Sequence, residues 1–305
     1  MMKYLSLLFC VGALIHCQAQ TGAGTRGKVQ SPSGLVAEGA TPRLISNQFS
    51  FTEGPAADEQ GNVYFTDQPD NKIWKYGTDG KLSIFLANAG RSNGMYFDKK
   101  GNLIACADEH NQLWSIKPAG QITVLVKDVK GLHLNGPNDV WVSPGGNIYF
   151  TDPYYQRDYW TRTSGEIAGQ KVYLLQQNAL PLAVADDLEK PNGLVGTRDG
   201  KLLYVSDIKA GKIYKYNIEG NGSLGNRTFF VEHRCDGMTI DQKGNLYLAG
   251  EGVTVYNPEG KKIEYIEIPE PWTANVTFGG SKKNILFITA SKAIYALTMK
   301  VKGAQ

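Results

Sequence analysis

Short runs of apolar and β-branched residues, separated by glycine-containing turns, recur along the chain from about residue 50 to its end. One such run covers residues 63–67 (VYFTD), and the Gly61-Asn62 pair before it is a typical turn. The turns recur roughly every 8 to 12 residues. No segment sustains the period of an amphipathic helix. The pattern predicts an all-β protein of short antiparallel strands and argues against a helical-repeat solenoid.

One set of features occurs six times. Each repeat starts with an acidic or amide residue, which is followed 11 or 12 residues later by an aromatic residue, or by isoleucine, in a strand-like run. The starts are spaced by 39 to 54 residues, the size of one blade of a β-propeller. The six starts are Glu53, Asn93, Asn138, Asn192, Asp236 and Asn275. The sequence therefore predicts a six-bladed β-propeller with four antiparallel strands in each blade.

The last repeat lacks a fourth strand-like run, since the chain ends soon after its third run at 293–299. The stretch from Arg43 to Phe49 precedes the first repeat in the phase of a fourth strand. We expect this N-terminal strand to complete the last blade, because the pairing would close the ring and remove two free sheet edges.

The N-terminus has the features of a signal peptide. Lys3 is followed by an apolar run at 5–15 that is too short to span a bilayer. Lipoprotein anchoring through Cys17 is the alternative, which the bulky His16 disfavours. The sequence thus predicts export to the periplasm or the extracellular space. The predicted segments are a signal peptide at 1–19, a flexible tether at 20–40 and a catalytic propeller domain at 41–305.

Composition narrows the choice of partners. The 305-residue chain has 42% hydrophobic and 20% charged residues, and a net charge of +3 with both signs interspersed. This balance gives no support to nucleic-acid binding or membrane insertion, and we expect a monomer or a weak dimer. Outside the signal region the cysteines are Cys106 and Cys235, which permit either one disulfide or two buried thiols.

The six repeat starts are predicted to form a ring of oxygen donors around the propeller axis, because equivalent positions of each innermost strand lie at the same height. Asn and Asp are also favoured in turns, so any single position has a purely structural alternative. Glu53 is not a turn residue, and its carboxylate and that of Asp236 would repel each other without a cation or a proton. Two carboxylates together with neutral amide oxygens suit one hard divalent ion. We expect Ca²⁺, with Mg²⁺, Mn²⁺ and Zn²⁺ as alternatives.

At these residues the chain resembles the senescence marker protein/gluconolactonase family of calcium-dependent lactonases, in particular its bacterial gluconolactonase branch. The matching segments, in chain order, are 53–55 (EGP), 134–140 (LNGPNDV) with 149–153 (YFTDP), 191–194 (PNGL), 236–238 (DGM) and 275–280 (NVTFGG). The resemblance implies a metal held by Glu53, Asn138, Asn192 and Asp236, with Asp236 also transferring the proton. Gly136 departs from the pattern, because some relatives carry a substrate-binding arginine there.

Further candidates lie around the expected mouth of the site. The stretch 153–170, which we call the lid loop, is long and rich in aromatic residues and arginine, as functional loops often are. The residues predicted to contact substrate are Tyr154 and Tyr155 of this loop, His110 of the matching loop in blade two, and the ring residues Asn93 and Asn275. For His110, an exposed turn position without a role in binding is the alternative. Four aspartates that recur where the second strands end are interpreted as braces of the blades, namely Asp67, Asp108, Asp152 and Asp207.

The resemblance implies a metal-dependent hydrolase that opens a sugar lactone, most plausibly an aldonolactone, to the free acid. In this reading the cation polarises the carbonyl and Asp236 is the general base. Two alternatives stay open at this point. One is an esterase or phosphotriesterase on the same scaffold, and the other is a non-catalytic binding propeller of the NHL type, which would not need Glu53 and Asp236 to face one axis.

Overall fold

A computed structural model describes residues 33–304 of the chain. These residues form 24 β-strands in six antiparallel sheets of four strands each, arranged as a six-bladed propeller. A single 3-10 turn at Asp108–His110 is the only helical element of the described chain. No helix within residues 33–304 is long and apolar enough to cross a membrane. The predicted fold class is confirmed.

The strands follow one another along the chain, four to a blade. Blades one and two consist of β2 (Thr52–Ala57), β3 (Val63–Asp67), β4 (Lys72–Tyr76), β5 (Leu82–Ala87), β6 (Ser92–Phe97), β7 (Leu103–Ala107), β8 (Gln112–Ile116) and β9 (Ile122–Val126). Blades three and four consist of β10 (Val140–Val142), β11 (Ile148–Asp152), β12 (Gln170–Leu175), β13 (Leu182–Leu188), β14 (Pro191–Gly196), β15 (Leu202–Asp207), β16 (Lys212–Ile218) and β17 (Leu224–Glu232). Blades five and six consist of β18 (Met238–Ile240), β19 (Leu246–Gly250), β20 (Gly252–Tyr256), β21 (Lys262–Ile266), β22 (Thr273–Gly279), β23 (Ile285–Ala290), β24 (Ala293–Thr298) and, from the N-terminal side, β1 (Arg43–Ser46).

The ring closes through the N-terminal strand, as predicted. Strand β1 pairs antiparallel with β24, with Arg43 opposite Ala296, and so becomes the outermost strand of blade six. The chain before β1 also joins this blade, since Val36 bridges to Met299 and the side chain of Leu35 is buried. The packed chain therefore begins before residue 41. The predicted signal peptide and residues 20–32 of the predicted tether lie outside the described residues.

Neighbouring blades are held together by large apolar side chains on both faces of each sheet. The second strands β3, β7 and β19 are buried along their whole length, because a blade packs on either side of them. One cluster joins Trp141 and Tyr149 of blade three to Leu194 and Leu203 of blade four. Gly196 makes room for this contact, since a Cβ at that position would lie 2.2 Å from the Trp141 ring. The resulting core fixes the angle between blades, and so the geometry at the axis.

Three of the recurring aspartates brace their own blade. Each accepts hydrogen bonds from two consecutive backbone N–H groups in the segment that leads into the first strand. In blade four, Asp207 binds the N–H groups of Glu189 and Lys190 at 2.7 and 3.0 Å. Asp67 and Asp152 do the same in blades one and three. These braces hold the segments from which the axial residues emerge. The two remaining cysteines, Cys106 and Cys235, are buried free thiols.

Candidate active site

The residues of the predicted ring lie at the inner ends of the first strands, and the metal-binding role of this ring stays a prediction. Five of its six side chains border one cavity of about 430 Å³ at the propeller axis, namely Glu53, Asn93, Asn138, Asn192 and Asp236. The sixth, Asn275, borders a small space of about 20 Å³ behind them. It donates from Nδ2 to Oε2 of Glu53 at 3.3 Å. A larger surface groove of about 680 Å³ lies among the turns between first and second strands of blades four and five, away from these oxygens.

Neighbouring ring residues interlock through the glycines that follow them. The N–H of Gly94 donates to the carbonyl of Asn138 at 2.7 Å, and that of Gly193 donates to the carbonyl of Asp236 at 2.8 Å. A Cβ on Gly193 would lie 2.2 Å from the same carbonyl oxygen. Asn93 and Asn192 thus occupy strands β6 and β14 rather than turns. The turn alternative is wrong at these two positions, where glycine is required by the close approach of the next blade.

The two carboxylates of the ring disfavour each other's charge. Burial and then the nearby charge of Asp236 hold the pKa of Glu53 well above its usual value. Oε2 of Glu53 accepts hydrogen bonds from the Gly54 N–H at 2.6 Å and from Asn275. Burial raises the pKa of Asp236 to about 6, although the Trp272 indole donates to its Oδ2 at 2.7 Å and opposes the rise. A cation between them would remove this mutual repulsion.

The donor set fits a hard divalent cation. Glu53 and Asp236 supply two carboxylates, and Asn138 and Asn192, whose side chains carry amide oxygens, line the same cavity. No histidine or cysteine lines this cavity among the described residues. Oxygen donors with two negative charges are what Ca²⁺ binds in proteins. These four residues are therefore the ones that could hold a metal.

Asp139 is a further buried carboxyl directly behind Asn138. Its oxygens accept hydrogen bonds from the N–H groups of Val140 at 2.9 Å and Leu194 at 3.2 Å, so it ties blade three to blade four. Burial raises the pKa of Asp139 to about 7. It borders the small space behind the ring, not the main cavity, and thus supports Asn138 from behind.

The lid loop covers one side of the cavity. Tyr155 and Arg157 line it, and the Tyr155 hydroxyl accepts a hydrogen bond from Nδ2 of Asn192 at 2.9 Å. Arg157 is held by Asp108, whose Oδ2 accepts from Arg157 Nε at 2.7 Å and from the Tyr159 hydroxyl at 2.6 Å. Asp108 is thus the exception among the recurring aspartates, since it fixes the lid loop to blade two.

Two of the predicted substrate contacts lie elsewhere. His110 stacks on Trp114 with ring centroids 5.3 Å apart, and Tyr154 packs against Trp160 and Arg162 within the lid loop. Neither His110 nor Tyr154 is among the residues that line the cavity. Asn93 and Tyr155 line the cavity, and their contact with substrate stays a prediction; Asn275 reaches the cavity only through Glu53.

Several cavity residues were not singled out from the sequence. They are Phe51, Gln68, Arg157, Lys190, Ile208, Lys209, Arg234 and Trp272. Three of them, Phe51, Lys190 and Arg234, stand two residues before a ring position. The position equivalent to these in blade three is Gly136. There the lid loop takes the place of a side chain, since a Cβ on Gly136 would lie 2.8 Å from the Trp160 ring.

Known proteins resemble this chain over most of its length. Residues 51–292 match the model of the SMP-30/gluconolactonase/LRE-like region. The chain is 29% identical over 296 residues to a gluconolactonase of Zymomonas mobilis, covering 87% of this chain and 83% of the relative. A pentonolactonase of Haloferax volcanii is 22% identical over 82% of this chain and 84% of its own length.

A solved structure shares the whole architecture. The structure of a gluconolactonase from Xanthomonas campestris superimposes with a TM-score of 0.82 at 27% sequence identity, covering 88% of this chain and 92% of its own. The matched region spans all six ring residues, from Glu53 to Asn275. With the six blades and the axial oxygens already in place, the match over most of its length shows that the chain belongs to the SMP-30/gluconolactonase/LRE-like family.

Proposed function

We propose that the protein is a metal-dependent hydrolase that opens an aldonolactone to the free acid. The observation that carries the proposal is the convergence of two carboxylates, Glu53 and Asp236, with the amides of Asn138 and Asn192 on the floor of one cavity. Membership of a family that includes gluconolactonases and a pentonolactonase supports lactones as the substrate class. A pure binding propeller has no need of this pair of acids.

The proposed metal ligands are Glu53, Asn138, Asn192 and Asp236, with Ca²⁺ as the preferred ion and Mg²⁺, Mn²⁺ or Zn²⁺ as alternatives. When bound, the cation supplies Lewis-acid polarisation of the lactone carbonyl. Glu53 is suited to a ligand role, because it is buried and its carboxylate is anchored by Gly54 and Asn275. Asp236 is partly exposed to the cavity and is therefore the acid that water can reach.

Asp236 is proposed as the general base. Its carboxylate takes a proton from a water molecule, whose oxygen forms a bond to the lactone carbonyl carbon. The ring C–O bond then breaks, and the same proton passes to the alkoxide that leaves. The Trp272 indole fixes one oxygen of Asp236, and Tyr155 holds Asn192 in place from the lid loop. The lid loop also limits the access of bulk water to this side of the cavity.

Acid release from glucono-δ-lactone by the purified full-length protein tests the proposal, measured with calcium and after chelation. We expect Asp236→Asn to lower kcat about a hundredfold or more while the circular dichroism spectrum stays unchanged. Asp199→Asn is the matched control, since Asp199 lies in an exposed turn far from the ring. Full activity of Asp236→Asn, or full activity after chelation, contradicts the mechanism.

The same experiment separates the alternative chemistries. An aryl ester and a phosphotriester are assayed beside the lactone under identical conditions. Faster turnover of either one than of the lactone would reassign the substrate class while keeping the metal and Asp236 in their roles. The absence of all three activities, together with no calcium bound by the protein, would favour a binding propeller.

We also propose that the enzyme acts after export to the periplasm or the extracellular space. The support is the charged start at Lys3 followed by the short apolar run at 5–15. The mass of the protein recovered from the producing cells tests this. A mature chain that begins near Gln20 supports export, whereas a cytoplasmic protein of full length contradicts it.

A further inference from the structure

The mouth of the cavity is rich in positive charge. Four basic side chains line it above the ring, and no other charged residues except Glu53 and Asp236 do so in the described part of the chain. The four are Arg157, Lys190, Lys209 and Arg234. Phe51 and Trp272 line the cavity from the segments before blades one and six, and the basic side chains come from the lid loop and from blades four and five.

Two of these cations form ion pairs with carboxylates of the protein. Arg157 is bound to the buried carboxylate of Asp108 at 2.7 Å. Lys209 lies 3.3 Å from a carboxylate oxygen of Glu189. Their charges therefore serve the fold of the lid loop and of blade four.

Lys190 and Arg234 are different. Within residues 33–304, neither has a carboxylate within ion-pair distance, and each lies over an aromatic ring instead. The ammonium of Lys190 is 4.2 Å from the centre of the Tyr155 ring, and the guanidinium of Arg234 is 5.2 Å from that of Trp272. Attraction to the ring faces holds both cations in place without cancelling their charge.

The two aromatic rings connect these cations to the reaction centre. Tyr155 is hydrogen-bonded to Asn192 at 2.9 Å, and Trp272 is hydrogen-bonded to Asp236 at 2.7 Å. Each free cation is therefore one aromatic side chain away from a ring residue. Both cations border the cavity that a small ligand with its carbonyl at the ring would occupy.

With a divalent ion at the ring, these cations would be in excess. A divalent ion at the ring would offset the carboxylates of Glu53 and Asp236, and Arg157 and Lys209 have their own partners. The loaded cavity would then carry the two charges of Lys190 and Arg234 alone. Such a cavity attracts anions and stabilises them where the protein wall displaces water.

We propose that the substrate is a lactone with an anionic group, a carboxylate, phosphate or sulfonate, at the end remote from the reacting carbonyl. The inference rests on the proposed lactonase function and specifies its substrate. Lys190 and Arg234 bind the anion, and in doing so orient the lactone with its carbonyl toward the ring. They are specificity-determining residues, and the bond-breaking chemistry takes place at Asp236.

The test compares the calcium-loaded full-length protein on glucono-δ-lactone and on the same lactone bearing a terminal phosphate, sulfonate or carboxylate. We expect kcat/KM to be about tenfold higher for at least one anionic lactone. This preference for the anionic lactone should shrink as sodium chloride is added, because salt screens the charges of Lys190 and Arg234. Comparing the phosphate, sulfonate and carboxylate lactones shows which anionic group Lys190 and Arg234 prefer.

Variants of Lys190 and Arg234 then test whether these two side chains cause the preference for anionic lactones. Lys190→Met is expected to reduce the ratio of kcat/KM for anionic over neutral lactone about tenfold, Arg234→Gln should reduce it similarly, and Lys190→Arg should restore most of it. Lys215→Met is the matched control, since Lys215 lies over Phe230 on the same blade but does not line the cavity. Its ratio should equal that of the unmodified protein.

Binding provides a readout apart from turnover. Calorimetry on the Asp236→Asn protein with gluconate and with its terminal phosphate ester should show tighter binding of the phosphate ester, and Lys190→Met should remove the difference. Equal kcat/KM for neutral and anionic lactones overturns the anionic subsite while leaving the lactonase proposal intact. A ratio of kcat/KM for anionic over neutral lactone that is unchanged in both Lys190→Met and Arg234→Gln does the same. Failure to open any lactone, the neutral one included, overturns the proposed function itself.

Discussion

Replacing Gly237 by alanine tests the interlocking of neighbouring ring residues. A Cβ at position 237 would lie 1.9 Å from Cγ of Asn275, roughly 1.5 Å closer than ordinary van der Waals contact. Asn275 is not free to rotate away. Its Oδ1 accepts the N–H of Val276 at 2.8 Å, and its Nδ2 donates to Glu53. Either this side chain or the start of blade five has to move.

The cost follows from the packing of the site. Overfilling a well-packed core by one methyl group destabilises a protein by about 1–3 kcal/mol, which for a chain of this size lowers the unfolding midpoint by about 2–5 °C. Displacement of Asn275 also removes a hydrogen-bond donor from Glu53. We therefore expect Gly237→Ala to unfold at a lower temperature in circular dichroism and to hydrolyse glucono-δ-lactone more slowly than the unmodified protein.

Gly220→Ala is the matched control for this experiment. A Cβ on Gly220 meets nothing within 4 Å, and its backbone does not have a positive φ. Its unfolding midpoint should stay the same or rise slightly, because alanine restricts the unfolded chain by up to about 1 kcal/mol. A Gly237→Ala protein with the midpoint and activity of the unmodified protein would refute the steric argument.

Two further predictions concern buried aspartates. Burial raises the pKa of Asp152 to about 7. Between about pH 4 and pH 7 the folded protein keeps a proton on Asp152 that the unfolded chain has released. The free energy of unfolding should therefore fall, relative to that of Asp152→Asn, as the pH rises from about 4 to about 7. Parallel stability profiles in urea unfolding would contradict this. Asp108→Asn should loosen the lid loop, giving faster tryptic cleavage after Arg157 or Arg162 and a raised KM for lactone. The exposed Asp187→Asn should change neither, and an unaltered cleavage rate in Asp108→Asn would show that its hydrogen bonds do not hold the loop.

The fold and the ring could be predicted because they depend on repetition. Equivalent positions in six blades lie at the same distance from one axis. Aligning the repeats is therefore enough to predict that Glu53 and Asp236 line one cavity, as they do. The strand that closes the ring was predictable for the same reason, since the count of strand-like runs left one blade incomplete. The repeats can be aligned from the sequence alone, without knowing the conformation of any side chain.

Other features depend on contacts that phase does not describe. The glycines after Asn93 and Asn192 match turn signals in sequence, yet they sit inside strands, where the backbone of the next blade leaves no room for a side chain. Arg157 reaches the cavity because Asp108 fixes a long irregular loop. The conformation of such a loop follows from individual hydrogen bonds, which no periodic pattern encodes.

Some of the missed residues did carry a signal. Phe51, Lys190 and Arg234 share one position, two residues before a ring residue, and all three line the cavity. Extending the comparison of repeats upstream by two residues would have found them, together with Gly136 as the position without a side chain. Trp272 stands three residues before Asn275, outside this phase, and only the structure connects it to Asp236.

The pairing of β1 with β24 has a consequence for the order in which the molecule is built. Blades one to five each come from one continuous stretch of chain, so they can assemble as synthesis proceeds. Arg43–Ser46 leaves the ribosome first among the described strands, but its partner Ala293–Thr298 leaves last. Joining sequence-distant strands is slow, because the entropy of closing the intervening loop has to be overcome first. The sixth blade is therefore the last to form during synthesis, and it is also the seam at which a pull on the two chain ends would open the ring.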